Sequence, residues 1–349
     1  MNTTPQHEKR NPETSTPTSE GPTTMRAVVQ DGYGHADVLR VTQVPTPAIK
    51  DGEVLVRVHA AGLDRGTWHL MTGTPYLLRL GFGLRRPRNP VLGRDVAGTV
   101  EAVGSKVTGF AVGDEVYGVA PGSFAELART TPARLARKPA NLTFEEAAVV
   151  PVSGLTALQG LVDVGRLRPG QRVLVTGAAG GVGSYAVQLA AAYGAEVTAV
   201  TRPERADLVR SLGATHVIDR TTQDFADTDR PWDLVLDVGG NPSLSRLRRA
   251  LTPGGTAVLT GGEEVDRLTG GMGRMLRARL LSPFLRRRMT NFVARERGRD
   301  LERLTELIEA GRLRPSLDEA YPLEQAPEAM RRLEAGMVRG KVAVTVRTG

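Results

Sequence analysis

The stretch RVLVTGAAGGVGSYAVQLAAAYGAEVTAVTR, residues 172–202, decides how the rest of the chain is read. Arg172–Thr176 is a short, nearly continuous apolar run, as a strand buried on both faces requires. A glycine-rich turn follows, then a helix expected over Val182–Tyr193 and a second strand over Glu196–Val200. Within the turn, Ala178, Gly180 and Gly183 hold the spacing of a dinucleotide-binding fingerprint whose first glycine is alanine. At that spacing a residue near the first position turns tightly, the second lets backbone approach a diphosphate, and the third lets helix pack on strand. The diphosphate would sit on the helix N-terminus, where unpaired N–H groups and the helix dipole favour an anion. Ala179, Gly180, Gly181 and Val182 are therefore expected to line it.

The end of the second strand chooses the cofactor. A carboxylate there would hold the ribose 2′-hydroxyl of NAD, whereas a basic residue accommodates the 2′-phosphate of NADP. This strand runs into Thr201 and Arg202, with Arg205 one turn later. A guanidinium offers a planar fork to phosphate, so NADPH is the expected cofactor. The alternative is that these arginines belong to an ordinary surface loop.

Outward from this stretch, strands and helices keep alternating. A helix is expected over Glu204–Leu212, strands over His216–Asp219 and Leu234–Val238, a helix over Ser243–Leu251, and a strand over Thr256–Thr260 that closes the series. This pattern implies a parallel sheet covered on both faces, a doubly wound Rossmann domain assigned to residues 151–312. Ligands lie beyond the carboxyl ends of such strands. Val238, Gly239, Thr260 and Gly261 are thus expected beside the nicotinamide half, unless these residues serve only as turns. A further helix is expected over Leu301–Ala310. Upstream, Met25–Gln30, Glu53–Ala60, Val96–Val103 and Glu115–Ala120 read as short strands separated by Gly, Asp and Pro clusters. The α/β chain thus divides into a β-rich domain over residues 25–150, completed by 313–349 through a strand at Val342–Val346, and the Rossmann domain. Residues 1–24 are polar and rich in Thr, Pro and Glu, and read as a disordered tail.

Composition narrows the function. The chain of 349 residues has no cysteine, which removes disulfides, thiolate nucleophiles and sulfur-ligated zinc. No run approaches the roughly 18 apolar residues of a membrane span, and residues 1–24 hold no apolar block. A cytoplasmic protein without stable membrane insertion is expected. The net charge of +8 lies in one place: residues 274–299 carry nine arginines and one acid, and the rest of the chain sums to zero. With no nucleic-acid motif and few aromatics, this segment reads as a solvated or oligomer-facing surface. The apolar residues of Met272–Phe284 and Met289–Phe292 could line a cleft, a dimer interface or a membrane surface. Residues 68–88 form a long apolar connector, and long loops are often functional. Trp68, Tyr76 and Phe82, with Leu77 and Leu80, are candidates for the wall of a pocket for a flat substrate; a helix packed on the core is the alternative.

Several ordered motifs carry a family likeness. They are Met25–Leu39 (MRAVVQDGYGHADVL), Glu53–Leu63 (EVLVRVHAAGL), Asn89–Gly118 (NPVLGRDVAGTVEAVGSKVTGFAVGDEVYG), Pro151–Leu158 (PVSGLTAL), the glycine-rich turn and Gly340–Val344 (GKVAV). Over residues 25–347 the chain resembles the zinc-independent quinone-oxidoreductase branch of the medium-chain dehydrogenase/reductase superfamily. The resemblance implies a GroES-like catalytic domain whose last strands come from the C-terminus, with the Rossmann domain inserted between its halves. It also implies that Thr156 faces the nicotinamide and that Lys341 joins the cofactor-binding set. Zinc-dependent relatives carry a Cys just after the first long strand and Gly-His-Glu where this chain has Gly93-Arg94-Asp95. Here the first position falls at Leu63-Asp64, and the lobe of four structural cysteines is absent. His59, His69 and Asp64 lie on one short segment with no further ligand, so no metal is expected.

Without a metal, oxidation of a plain alcohol loses its usual Lewis acid, while reduction of a conjugated carbonyl needs a placed hydride donor, a hydrogen-bond donor and a proton source. The resemblance points to quinones or α,β-unsaturated carbonyls as substrates and to a homodimer. Many relatives have Asn-Pro-x-Asp where this chain has Asp64-Arg65-Gly66-Thr67, which leaves the proton donor open. Asp64 could be the acid or base if burial raised its pKa, or merely an ion-pair partner of Arg65 or Arg94. Tyr33 could donate a phenolic hydrogen bond, or be a packed turn residue. Two other functions fit: an enoyl-thioester reductase, and an NADPH-binding regulatory or membrane-surface protein with little turnover.

Overall fold

The computed structural model describes residues 23–240, 242–260, 268–269, 272–281 and 286–347. The N-terminal part begins with the antiparallel pair β1 (Thr24–Gln30) and β2 (Leu39–Pro45). β3 (Val54–Leu63) leads into α1 (Arg65–Thr72) and α2 (Arg79–Phe82), and is followed by β4 (Asp95–Val103), β5 (Glu115–Val119), β6 (Leu127–Thr130) and β7 (Leu135–Arg137). β1 starts inside the stretch read as a tail, because Met25 is already a core residue, 5% exposed.

α3 (Phe144–Ala148) opens with a complete capping box, in which Thr143 and Glu146 satisfy each other's backbone N–H. α4 (Pro151–Leu158) has its proline in the first turn, where no donor is lost, and runs on through Val164 as one π-helical stretch. Then come β8 (Arg172–Thr176), α5 (Gly181–Ala192), β9 (Glu196–Thr201), α6 (Ala206–Ser211), β10 (His216–Asp219), β11 (Trp232–Asp237), α7 (Leu244–Ala250), β12 (Leu251–Leu259), α8 (Met272–Leu281), β13 (Arg288–Asn291) and α9 (Gly298–Glu309). The chain finishes with β14 (Leu317–Pro322), α10 (Ala326–Glu334) and β15 (Lys341–Thr345).

Two large sheets result. One is parallel, in the order β10-β9-β8-β11-β12-β13, the doubly wound order that leaves a crevice where the winding reverses, between β8 and β11. Its strands are apolar because both faces are covered: Val173, Leu174, Val175, Leu234, Val235 and Leu236 are all buried. The other runs β14-β15-β3-β4-β5-β7, with β6 also pairing β3. Thus the last strand, β15, returns to lie antiparallel against β3, and the nucleotide-type sheet is an insertion between the halves of a GroES-like sheet.

The expected strand series does not close at Thr256–Thr260. A sixth strand, β13, pairs parallel to β12. Its sequence, Arg-Met-Thr-Asn, hides this because only Met289 is buried, and an edge strand needs little apolar surface. The arginines around it are partly structural: Arg287 donates to the carbonyl of Leu251 (2.9 Å) and Arg288 to that of Val164 (2.8 Å). The stripe read as a solvated face therefore also ties chain segments down.

One core spans both sheets. It joins Ala60, Ala97 and Tyr117 of the first sheet to Leu155, Leu158, Tyr185 and Leu304 of the inserted domain. Tyr117 is fully buried, and its hydroxyl donates to the carbonyl of Leu301 (2.7 Å) while lying 2.9 Å from Thr305 Oγ1. Tyr117→Phe deletes this link and leaves a buried carbonyl short of a donor, at a cost of about 1 kcal/mol. A lower thermal midpoint than wild type, at every pH from 6 to 8, is the expected result.

Candidate active site

Gly177, directly after β8, takes the left-handed conformation (φ 62°). A Cβ there would lie 2.8 Å from the backbone of Gly239 at the end of β11. The tight turn is therefore made by Gly177, one residue before the fingerprint's first position, while Ala178 sits buried with room for its methyl group. A Cβ on Gly183 would come 2.1 Å from the carbonyl of Gly177, which is the close helix-on-strand approach the fingerprint requires. α5 begins here with Gly180 as its N-cap and no side-chain cap, so its first-turn N–H groups face the turn unpaired. Ala179, Gly180, Gly181 and Val182 all lie at this helix start, and the backbone N–H of Gly340 donates to the carbonyl of Ala179 (3.2 Å). An uncapped helix start held this close to backbone fits a dinucleotide diphosphate.

At the end of β9, Thr201 is buried, Arg202 is exposed and Arg205 half-buried. Arg205 donates to the carbonyl of Gly336 (2.8 Å). Burial and the neighbouring Arg202 and Arg339, with Arg220 adding to them, hold its pKa below the ordinary arginine value, against the opposite pull of Asp318. Four arginines thus lie near one another at the end of β9, where the ribose is expected from the sequence. Arg220 and Arg339 were missed in the sequence because they arrive from the end of β10 and the segment before β15.

The switch point carries a second buried network. Thr176 donates to Asp237 (2.8 Å) and accepts from the N–H of Val238 (3.1 Å), while Arg274 of α8 lies 2.5 Å from the other Asp237 oxygen. Burial pushes the Asp237 carboxyl up, against Arg274 and Thr176. Both the N–H and the hydroxyl of Thr260 donate to the Asp237 carbonyl. Val238, Gly239 and Thr260 are thereby fixed at adjacent strand ends, while Gly261 lies outside the described residues.

On the other wall, Asp64 caps α1 by accepting from the N–H (2.7 Å) and hydroxyl (2.9 Å) of Thr67. Burial alone would push its carboxyl up, but Lys341, Arg94 and the Thr67 hydrogen bonds hold it below the usual carboxylate range. Asp64 is therefore not the raised carboxyl the sequence allowed for. That group is Asp95, fully buried, with one oxygen accepting from the N–H of Val152 at the start of α4 (3.0 Å) and the other 3.7 Å from Lys341 Nζ. Burial and the adjacent Asp64 raise its pKa to about 8, against Lys341, Val152 and Arg94. Space for it is made by Gly62, whose Cβ would sit 2.9 Å from that of Asp95. Arg94 pairs with Glu296, which also reaches Arg134 (3.3 Å).

The remaining candidates are engaged elsewhere. Tyr33 donates its hydroxyl to the carbonyl of Gly83 (2.6 Å), and Arg79 lies over both its ring and that of Tyr76. Tyr33 is thus a clamp on the connector. Thr156 is half-buried and donates back to the carbonyl of Val152 (2.7 Å). Trp68 donates to Glu334 of α10 (3.0 Å) and packs on the core of the first sheet. Tyr76 and Phe82 stay 42% and 49% exposed. His59 stacks on Phe144 and His69 donates to the carbonyl of Thr74 (2.6 Å); among the described residues no three His, Cys, Asp or Glu gather as a metal site.

Comparison with known proteins places this geometry. Residues 50–159 match the alcohol dehydrogenase GroES-like domain and residues 212–344 a family described as zinc-binding dehydrogenase. The chain is 34% identical to the mitochondrial NAD(P)H oxidoreductase RTN4IP1 of Bos taurus, over 94% of this chain and 91% of that protein. It belongs to the quinone-oxidoreductase-like branch of the medium-chain dehydrogenase/reductase superfamily. The 2-methylene-furan-3-one reductase of Solanum lycopersicum is also 34% identical, over 95% of this chain and 81% of that one. The quinone oxidoreductase from Coxiella burnetii superposes with a TM-score of 0.82 at 29% identity, covering 93% of this chain and all of the other. This medium-chain enzyme is accordingly an NAD(P)H-dependent oxidoreductase. The family named for zinc matches only residues 212–344, so Asp64 and Arg94 lie outside it; Arg94 pairs with Glu296.

Two outcomes follow from the site. Gly183→Ala forces a methyl group into the Gly177 carbonyl, an overpacking cost of about 1–3 kcal/mol, so dinucleotide affinity measured by fluorescence titration should fall at least roughly tenfold. Asp95 binds its proton more tightly folded than unfolded, so this group makes stability fall as pH rises from about 4 towards about 8. In Asp95→Asn that contribution to the slope should vanish, and a thermal midpoint whose pH dependence matches wild type would refute the assignment.

Proposed function

We propose that this enzyme is an NADPH-dependent reductase of quinones or α,β-unsaturated carbonyls that works without catalytic zinc, as a homodimer in the cytoplasm. The observation that carries the reading is the replacement of metal ligands by fixed charge. Arg94 stands where zinc-dependent relatives have a histidine, and Lys341 lies against Asp95. A divalent cation would have to displace two cations to enter. A conjugated carbonyl can accept hydride without a Lewis acid, whereas a plain alcohol is poorly activated without one.

The turn of Gly177–Gly183 and the start of α5 would hold the diphosphate, and Val238, Gly239 and Thr260 would bound the nicotinamide. Arg202, Arg205, Arg220 and Arg339 would hold the ribose 2′-phosphate, which favours NADPH over NADH. The bound cofactor supplies two electrons and one hydrogen as hydride. The protein's share is to place the acceptor, exclude water and deliver a proton. Substrates in this class are flat and apolar, which suits the exposed Tyr76, Leu80 and Phe82 of the connector, whose Leu77 N–H donates to the carbonyl of Leu268 (3.2 Å).

Metal-stripped protein should consume NADPH with quinones and enones, use NADH less well, leave simple alcohols untouched and gain nothing from added zinc. Activity that appears only with zinc would sink the proposal. In the double variant Arg202→Ala/Arg205→Ala, loss of charge-assisted bonds worth about 1.5–3 kcal/mol each should raise KM for NADPH by roughly tenfold or more. KM for NADH should change far less.

A further inference from the structure

Three buried polar atoms near one point have no hydrogen-bond partner: Asp64 Oδ2, Asp95 Oδ2 and Lys341 Nζ. Their residues come from the end of β3, the start of β4 and the start of β15, and are 7%, 0% and 1% exposed. Leaving such groups unpaired is costly, so an arrangement of this kind needs a reason. The Lys341 ammonium lies 3.7 Å from Asp95 Oδ2, close enough to pair in charge but too far for a hydrogen bond. Further down the same side chain, Cδ lies 3.0 Å from where a Cβ on Gly181 would stand, at the first residue of α5. Gly340, the residue before Lys341, donates its N–H to the carbonyl of Ala179 within the glycine-rich turn. Lys341 therefore stands between two anion seats, Asp95 behind it and the uncapped start of α5 in front.

We propose that Lys341 is shared between these seats, so that binding of a dinucleotide diphosphate draws the ammonium from Asp95 and makes Asp95 take up a proton. The inference rests on the reading that a dinucleotide occupies the turn. It makes Asp95 a proton store that is filled as the cofactor arrives.

The groups facing Asp95 fix the direction. Asp64 opposes its ionisation from the β3 side; Lys341 from β15, Arg94 beside it on the chain and the Val152 N–H from α4 favour it. Tyr185 of α5 faces it too, but burial and Asp95 keep that hydroxyl neutral, and it donates to the carbonyl of Val149 (3.0 Å). Glu296 acts only through Arg94. With the ammonium withdrawn, the largest cation effect on Asp95 is lost and its carboxyl, already near 8, rises further. The proton balance is simple. An acceptor that has gained hydride from the cofactor needs one proton. Asp95 holds that proton; once it is given up, the Asp95 charge is again matched by Lys341, and solvent restores the proton on the next cycle.

The test is isothermal titration of the full chain with NADPH at pH 6.5 and 8.5, each in two buffers of different ionisation enthalpy, which reads protons taken up on binding. At pH 8.5 the 2′-phosphate, with its second pKa about 6, is already fully ionised and contributes nothing. Wild type should take up roughly half a proton or more at pH 8.5 and clearly less at pH 6.5, where Asp95 is already protonated. Asp95→Asn should bind NADPH with the uptake at pH 8.5 abolished. Lys341→Met should also abolish it, and should weaken binding roughly tenfold, while Lys341→Arg should restore both. NADPH binding with no uptake in wild type, or with undiminished uptake in either charge-removing variant, overturns the inference alone. Absence of binding by both NADPH and NADH overturns it together with the cofactor reading.

Discussion

The buried carboxylate of Asp95 is the constraint on which the rest of the molecule depends. Cut off from solvent and set beside Asp64, it resists ionising, and the groups that favour its charge are the N–H of Val152 at the head of α4, the ammonium of Lys341 on β15 and the guanidinium of Arg94. Those neighbours belong to both halves of the chain. A group that needs all of them holds the first sheet, the returning C-terminal strand and the first helices after β7 in one arrangement. Gly62 opposite it on β3 is part of the same solution, since any side chain there would strike Asp95 and the carbonyl of Ala148.

The second constraint is steric. The backbones of Gly177 and Gly239 touch across the point where the parallel sheet reverses its winding, and Gly183 rests on the Gly177 carbonyl. These contacts bring the ends of β8 and β11 and the start of α5 together without side chains between them. The buried Thr176–Asp237–Arg274 network locks the same strand ends by hydrogen bonds. The crevice is therefore rigid at its floor, while the apolar connector residues Tyr76, Leu80 and Phe82 are exposed.

Much of this was legible in residue order. Apolar strands alternating with helices announced a parallel sheet, because a strand covered on both faces has no polar side to display. The glycine spacing announced the close packing of α5 on the turn after β8, because only a missing Cβ permits the approach. The strand β13 was not legible, since an edge strand of arginine, threonine and asparagine has no apolar signature. Nor was the anchoring of Trp68 legible, since its indole is held by Glu334, 266 positions further along the chain. No local pattern records a partner that distant.

The sequence by itself determined the fold class, the alternation of strand and helix around the glycine-rich turn and the absence of sulfur ligands, all of which follow from periodicity, glycine placement and composition. Only the tertiary structure decided which carboxyl is raised. Asp64 and Asp95 are alike in sequence, each beside an arginine, but Asp64 caps a helix and lies in the field of two cations, while Asp95 is sealed in the core next to another carboxylate. A pKa is set by burial and by charges that fold in from elsewhere, and those are properties of three dimensions rather than of spacing.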